Sequence, residues 1–188
     1  MSLRPNFLIG VLAVLAPLAE SGAFELLSAD TSRDGPAYRL EIEAVFLATP
    51  AQLLAVLTDY DRIHRLHPDM IESRTLGRVG PGIEEVYTRF DGCVLLFCRT
   101  LHRVERIQQR NTSLYAEDVP GRGSFSEGAT EWHFSATADG TRLRYETRFI
   151  PAFRVAPVFG ATVLASSIER MTLETMAEVD RLAVLRDD

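Results

Sequence analysis

The 188-residue chain has a formal net charge of −6 and a pI near 5.3. That balance argues against a nucleic-acid partner and against attraction to an anionic membrane surface, because phosphate contacts need clustered cations. All 20 cationic side chains are arginine and read as a solvated surface, and the length suits one domain with a sizeable core rather than two.

The first predicted element is an export signal. Arg4 precedes a 12-residue apolar run, Phe7 to Leu18, which ends at Ser21-Gly22-Ala23. A membrane-spanning helix takes roughly 20 apolar residues. A charged start, a short apolar middle and a small-x-small exit describe a secretory signal peptide, cleaved here after Ala23. Residues 1–23 then form the leader, 24–36 a flexible lead-in and 37–188 the domain, and the mature protein is periplasmic or secreted.

From Ala37 the pattern is periodic. Tyr38, Leu40, Ile42, Ala44 and Phe46 alternate with Arg39, Glu41 and Glu43, the period of a half-buried strand. Thr49-Pro50 supplies an N-cap and a first helical residue, and Leu53, Leu54, Val56, Leu57 and Tyr60 give the helix an apolar side that ends at His67-Pro68. A glycine-marked turn at Gly77–Gly82 precedes strands over Glu84–Phe90, Arg99–Ile107 and Ser113–Asp118. After a loop holding Pro120, Gly121 and Gly123 comes Ala129–Ala136, then a tight turn at Asp139-Gly140 into Thr141–Phe149. The final segment changes period: Leu164, Ile168, Met171, Thr175, Val179 and Leu182 form one stripe on a helix from about Val158 to Leu185. A helix that long needs a long partner, and the antiparallel meander before it is the candidate. The fold class is therefore α+β, a curved antiparallel sheet gripping a C-terminal helix, with short helices after the first strand.

The chain carries no Gly-x-Ser-x-Gly elbow, phosphate-binding glycine loop or Cys-x-x-Cys pair. Asp61, His64, His67 and Asp69 are the nearest approach to a metal site, but histidines at the shoulder of an ending helix read as solvated, so no metal and no cofactor is expected. His102 and His133 stand on strands, where a histidine more often bonds locally or faces water than serves as an acid or base; Glu131 and Glu146 read the same way. Cys93 and Cys98 would lie about 16 Å apart in a continuous strand at 3.3 Å per residue, beyond disulfide reach. If the chain reverses at Val94–Phe97 they face each other at the root of a hairpin, and an oxidising compartment would join them. The bond is the favoured reading over two buried thiols.

Ala48-Thr49-Pro50-Ala51-Gln52, Leu57-Thr58-Asp59-Tyr60-Asp61 with Pro68, Gly123-Ser124-Phe125 before Gly128, Trp132-His133-Phe134 and Gly140-Thr141-Arg142-Leu143-Arg144-Tyr145 occur in that order before the terminal helix. In that order they resemble the START and plant-pollen-allergen-like superfamily, the polyketide cyclase/dehydrase and lipid-transport proteins, and in particular its coenzyme-Q-binding START branch. The resemblance implies a cavity between sheet and helix. Tyr87, Phe90, Trp132, Phe134, Tyr145 and Phe149 on strands, with Leu164, Ile168 and Met171 on the helix, are the residue types that would line it, and Met176 could adapt to a flexible ligand. Each is also the type that fills a core. Phe153, Val155 and Phe159, in the apolar connection before the helix, form a lid, a membrane-contacting rim or a plug. The leading function is an exported, monomeric carrier of an apolar ligand (a lipid, isoprenoid quinone or sterol-like molecule) that touches a membrane or membrane protein transiently. One alternative is a cyclase/aromatase using His133 with Tyr145 or Arg148, and another is a protein-interaction module without ligand.

Overall fold

The computed structural model describes residues 24–94, 97–155 and 160–185. The elements are β1 (Phe24–Asp34), β2 (Ala37–Phe46), α1 (Pro50–Leu57), a 3-10 helix (Tyr60–Leu66), β3 (Met70–Gly80), β4 (Ile83–Val94), β5 (Phe97–Arg110), β6 (Ser113–Asp118), β7 (Phe125–Thr137), β8 (Gly140–Pro151) and α2 (Gly160–Val184). The strands form one antiparallel sheet in the order β1-β2-β8-β7-β6-β5-β4-β3, and α2 packs on its inner face in the helix-grip arrangement expected from the sequence.

β2 shows how pattern becomes position. Its inward residues Leu40, Ile42, Ala44 and Phe46 are no more than 1% exposed. α1 starts where Thr49 and Gln52 form a capping box, the Thr49 N–H donating to Gln52 Oε1 at 2.6 Å, with Pro50 supplying the preset φ. It is shorter than expected. Thr58 Oγ1 donates back to the Leu54 carbonyl at 2.7 Å, and the chain tightens into the 3-10 helix instead of continuing to His67. His67 is extended, φ −154°, as the residue before a proline should be.

Both sheet edges differ from the sequence reading. The supposed flexible lead-in is β1, paired along its length with β2 and anchored by Phe24, whose ring stacks on Phe46 at 5.3 Å. The segment before Gly77, which has no strand pattern of its own, is β3. Neither edge alternates cleanly, because backbone pairing holds them and Leu26, Leu27, Ile71, Leu76 and Val79 point to solvent. β3 is also broken by three register shifts, one of them at Gly77 with φ +140°, a bulge that glycine accommodates.

The Asp139-Gly140 turn is present. A Cβ on Gly140 would collide with the Phe46 carbonyl oxygen, so glycine there lets β8 lie against the end of β2. The loop beyond β2 is fixed from α2, where buried Asp180 accepts from the Ala48 N–H at 3.2 Å. Burial holds that carboxyl above its ordinary range, against the backbone hydrogen bonds it accepts.

α2 meets two surroundings. Met176, Val179, Asp180 and Ala183 are at most 1% exposed in the core, whereas Leu164, Ile168 and Met171, farther toward its N-terminus, are half-buried. Among the described residues no helix is long and apolar enough to cross a membrane.

Candidate ligand-binding cavity

The half-buried stretch of α2 roofs a cavity of about 410 Å³. Phe90 on β4, Leu101 on β5, Phe125 on β7 and Phe149 on β8 form the sheet wall, and Leu164, Ile168 and Met171 face them from α2. Pro151, Phe153 and Val155 close one side, with the Arg99 guanidinium over the Phe153 ring at 4.5 Å. Phe125 meets Phe149 edge-on at 5.4 Å and stacks near Phe90 at 6.4 Å. These walls are apolar and aromatic, as small-molecule sites usually are.

The polar end is built by strand register. Val86 is fully buried, and it pairs with Glu105, which pairs with Asp118. Two-residue alternation therefore turns Arg103, Glu105 and Asp118 to the inner face. Arg103 lines the cavity. Its Nε and Nη2 donate to the two oxygens of Asp118 at 3.0 and 3.1 Å, and Nη2 also reaches Glu105 Oε1 at 3.1 Å. The Asp118 side chain is 4% exposed, and the guanidinium lies 5.1 Å from the Phe125 ring centroid. Gly128 makes the room, since a Cβ there would overlap Asp118 Oδ2. Burial opposes the Arg103 charge, but Glu105 and Asp118 hold it above its ordinary value. Burial pushes the Glu105 carboxyl up; Arg103 pulls against that and Asp118 adds to it.

Beside this cluster stands Tyr145, which lines the cavity together with Thr147 and Thr172. Thr147 Oγ1 in turn lies 2.8 Å from Thr130 Oγ1. Burial pushes the Tyr145 phenol up to about 12, so it stays a neutral hydroxyl at physiological pH. The cavity is thus an apolar chamber bordered by the paired Arg103 guanidinium and the Tyr145, Thr147 and Thr172 hydroxyls, with Arg99, Arg154, Arg170, Asp69 and Asp91 also on its lining.

Of the residues expected to line it, Phe90, Tyr145, Phe149, Phe153, Leu164, Ile168 and Met171 do. Trp132 and Phe134 face inward but are packed in the core, the Trp132 ring edge-on to Tyr145 at 4.7 Å, and Met176 joins them there. Tyr87 lies on the outer face, under Arg74 and beside the His102 ring, because it alternates with inward Val86. Phe159 lies outside the described residues. The histidine-based catalytic alternative does not assemble: His133 is exposed on the outer face with Nε2 3.0 Å from Glu131, and Arg148 is exposed and pairs with Glu127, so only Tyr145 of that trio reaches the cavity.

Sequence reasoning missed Arg103, Glu105 and Asp118. The strand over Arg99–Ile107 has no facing assigned by its sequence, and Val104 pairs with Tyr87 on the outer face. It is buried there beside the 119–124 loop, which runs along β5 and sends Arg122 across to Glu85 at 2.7 Å. The detectable signal was Gly123 and Gly128, two glycines flanking a strand start.

The Asp61, His64, His67, Asp69 group disperses into separate local roles. Asp61 accepts from the Thr75 N–H and His64 contacts Ser73. Buried His67 accepts from the Asp69 N–H at Nδ1, 3.0 Å, which leaves Nε2–H to donate to Glu174 on α2 at 2.9 Å. That bond, ahead of the ones from Arg170, holds Glu174 below the usual carboxylate range. Glu174 borders a separate cleft of about 440 Å³ with His67, Pro68 and Met70, while Asp69 and Arg170 face the main cavity. The His67–Glu174 clasp therefore lies on the cleft, tying the end of the 3-10 helix to α2. Among the described residues no cluster converges as a metal site. The backbone sets Cys93 opposite Cys98 across the β4–β5 hairpin, and none of the described cysteines is free.

The family model described as polyketide cyclase / dehydrase and lipid transport matches residues 38–183. No curated protein matches the sequence. Among solved structures, the chain is similar to the Zhui aromatase/cyclase from Streptomyces sp. R1128, with TM-score 0.65 and 15% identity over 81% of this chain and 96% of that one. A STAR-related lipid transfer protein from Xanthomonas axonopodis gives 0.62 and 13% over 84% and 98%, and the protein TTHA0849 from Thermus thermophilus gives 0.65 and 12% over 81% and 100%. At such identities the likeness shows a shared fold.

Proposed function

The chain belongs to the polyketide cyclase/dehydrase and lipid transport family, and from that membership we propose that it is an exported carrier that encloses an apolar ligand, with the ligand's polar group at Arg103 and Tyr145. The observation that carries this reading is the chamber itself, whose aromatic and aliphatic walls carry a set of polar groups with Arg103 and Tyr145 among them. A volume of about 410 Å³ is near the lower end of the roughly 300–1,000 Å³ usual for such sites. It suits a compact ring system such as a sterol-like molecule or a quinone head, and a long isoprenoid tail would have to leave through the mouth. Solvent extraction of protein purified from its source cell, followed by mass spectrometry, should recover an apolar molecule. A folded protein that yields none and binds no fluorescent apolar probe would overturn the reading.

Export is supported by Arg4, the apolar run and Ser21-Gly22-Ala23, which together have the order of a cleavable leader. Intact mass of protein from the source cell should show a chain beginning at Phe24, and recovery of the uncleaved chain would refute it. An oxidising compartment also suits a Cys93–Cys98 bond at the register position the backbone provides. Thiol titration under denaturing, non-reducing conditions should then find no free thiol.

The second reading is a cyclase. It is favoured by a neutral phenol, Tyr145, near a guanidinium, Arg103, inside the apolar chamber, a pair able to polarise a ligand carbonyl by hydrogen bonding. Turnover of a bound polyketide that is lost in Tyr145→Phe while binding is kept would place this reading first.

A further inference from the structure

The arginines on the cavity lining fall into two groups. Arg103 is largely buried, and its Nε and Nη2 are taken by Asp118. Arg99, Arg154 and Arg170 line the same cavity but are exposed, so they stand where it opens to solvent. β5 carries Arg99 four residues from Arg103, about 13 Å away at 3.3 Å per residue. β8 runs from Tyr145 through Thr147 and Phe149 to Pro151, beyond which lie Phe153 and Arg154. The chamber is therefore elongated, with Arg103 and Tyr145 toward one end and Arg99 and Arg154 at its mouth.

Nearby carboxylates do not cancel this mouth. Asp91 alternates with inward Phe90 and accepts from Thr100 Oγ1 at 2.7 Å, so its charge lies on the outer face of the sheet. Asp69 stays at the rim, half-exposed, with Oδ2 3.8 Å from His67 Nδ1. Arg170 gives Nη1 to Glu174 one turn along α2, an exposed pair of the weak kind. Among the described residues neither Arg99 nor Arg154 meets a carboxylate; Arg99 lies instead over the Phe153 ring at 4.5 Å, which leaves its N–H donors available.

Resting on the carrier reading above, we infer that the ligand is an acidic amphiphile, whose apolar body fills the chamber and whose carboxylate or phosphate is met at the mouth by Arg99 and Arg154, with Arg170 on the same rim. The planar fork of arginine suits either acid, and at the mouth the acid keeps much of its water, which avoids the desolvation a charge would suffer farther in. The polar group assigned to Arg103 and Tyr145 is then the inner of two. Against a net charge of −6 the positive mouth is a local feature, fitted to a single acid group and not to an anionic bilayer.

The test is displacement of a fluorescent apolar probe at pH 8 by decanoate, decyl phosphate and methyl decanoate, on the wild type, Arg99→Gln, Arg154→Gln, the double variant and the outer-face control Arg148→Gln. The wild type should bind at least one of the acids about five- to tenfold more tightly than the ester, each exposed pair contributing modestly, and the tighter acid identifies the headgroup. That preference should shrink about threefold in each single variant, vanish in the double variant and persist in Arg148→Gln. In the wild type it should also fall as salt is raised from about 0.02 M to about 0.5 M, a readout that depends on no variant folding. Ester binding as tight as both acids in the wild type, or a preference that neither salt nor the double variant reduces, would overturn the inference and leave the carrier reading standing. If neither the probe nor any of the three compounds binds, the carrier reading fails and the inference with it.

Discussion

Gly128→Ala is a small change that the structure turns into a large one. The new Cβ would overlap Asp118 Oδ2 and stand 2.9 Å from Asp118 Cγ and 3.1 Å from Arg103 Nη2. The carboxylate has nowhere to retreat without giving up a bond to Arg103, since Asp118 is a short side chain, nearly fully buried and held at both oxygens. Breaking a buried ion pair outright costs about 3–5 kcal/mol, and overpacking typically costs about 1–3 kcal/mol. Relief of glycine's entropy in a strand returns about 0.5–1 kcal/mol. With one of the two Asp118 bonds lost, a net destabilisation of about 2–3 kcal/mol follows, which for a domain of this size lowers Tm by roughly 4–12 °C. Thermal melts followed by circular dichroism measure it directly. The cause is isolated by adding Gly128→Ala to Asp118→Ala: with the obstructed carboxylate gone, the second substitution should cost almost nothing more. A Gly128→Ala melt within about 1 °C of wild type, or strictly additive costs in the double variant, would refute the argument.

Glu105→Gln should raise stability relative to wild type at neutral pH. A carboxyl whose folded pKa is raised contributes stability that is present below its unfolded value and lost as pH rises through the folded one, so urea midpoints of the two proteins should coincide near pH 4 and separate toward pH 8. Glu174 has the opposite sign: its lowered folded value means that its contribution is present above the ordinary carboxylate range and is lost as pH falls below it, and Glu174→Gln should remove that acid sensitivity in the same titration. His67→Ala leaves the Asp69 N–H without its acceptor and releases the bond to Glu174 on α2; a loss of about 2–3 kcal/mol in urea denaturation is expected. Phe153→Asp places a charge under Arg99 at the apolar side of the chamber and should weaken apolar-probe binding with little change in Tm, a half-buried site being less costly than a core one.

What the sequence determined by itself was local. The alternation of β2, the Thr49-Gln52 capping box, the Asp139-Gly140 turn and the periodic stripe of α2 each depend on residues a few positions apart, so they are visible without knowing what they pack against. With the ordered motifs they sufficed for the helix-grip fold and for seven of the cavity residues. Tertiary structure decided everything that depends on a partner strand. A period of two identifies a strand but not which set faces inward, and for β5 that phase comes from pairing with Val86 on β4, which sends Arg103 and Glu105 into the interior and Val104 out. The same rule places Tyr87 and His133 on the outer face, away from the cavity lining expected of the one and the catalytic role weighed for the other. β1 and β3 were hidden because backbone hydrogen bonds to a neighbour hold an edge strand without an apolar pattern of its own. The stripe of α2 was read as one surface, but the sheet curves away from its N-terminal half: Met176, Val179 and Ala183 fill the core, while Leu164, Ile168 and Met171 border the space in which a ligand would lie.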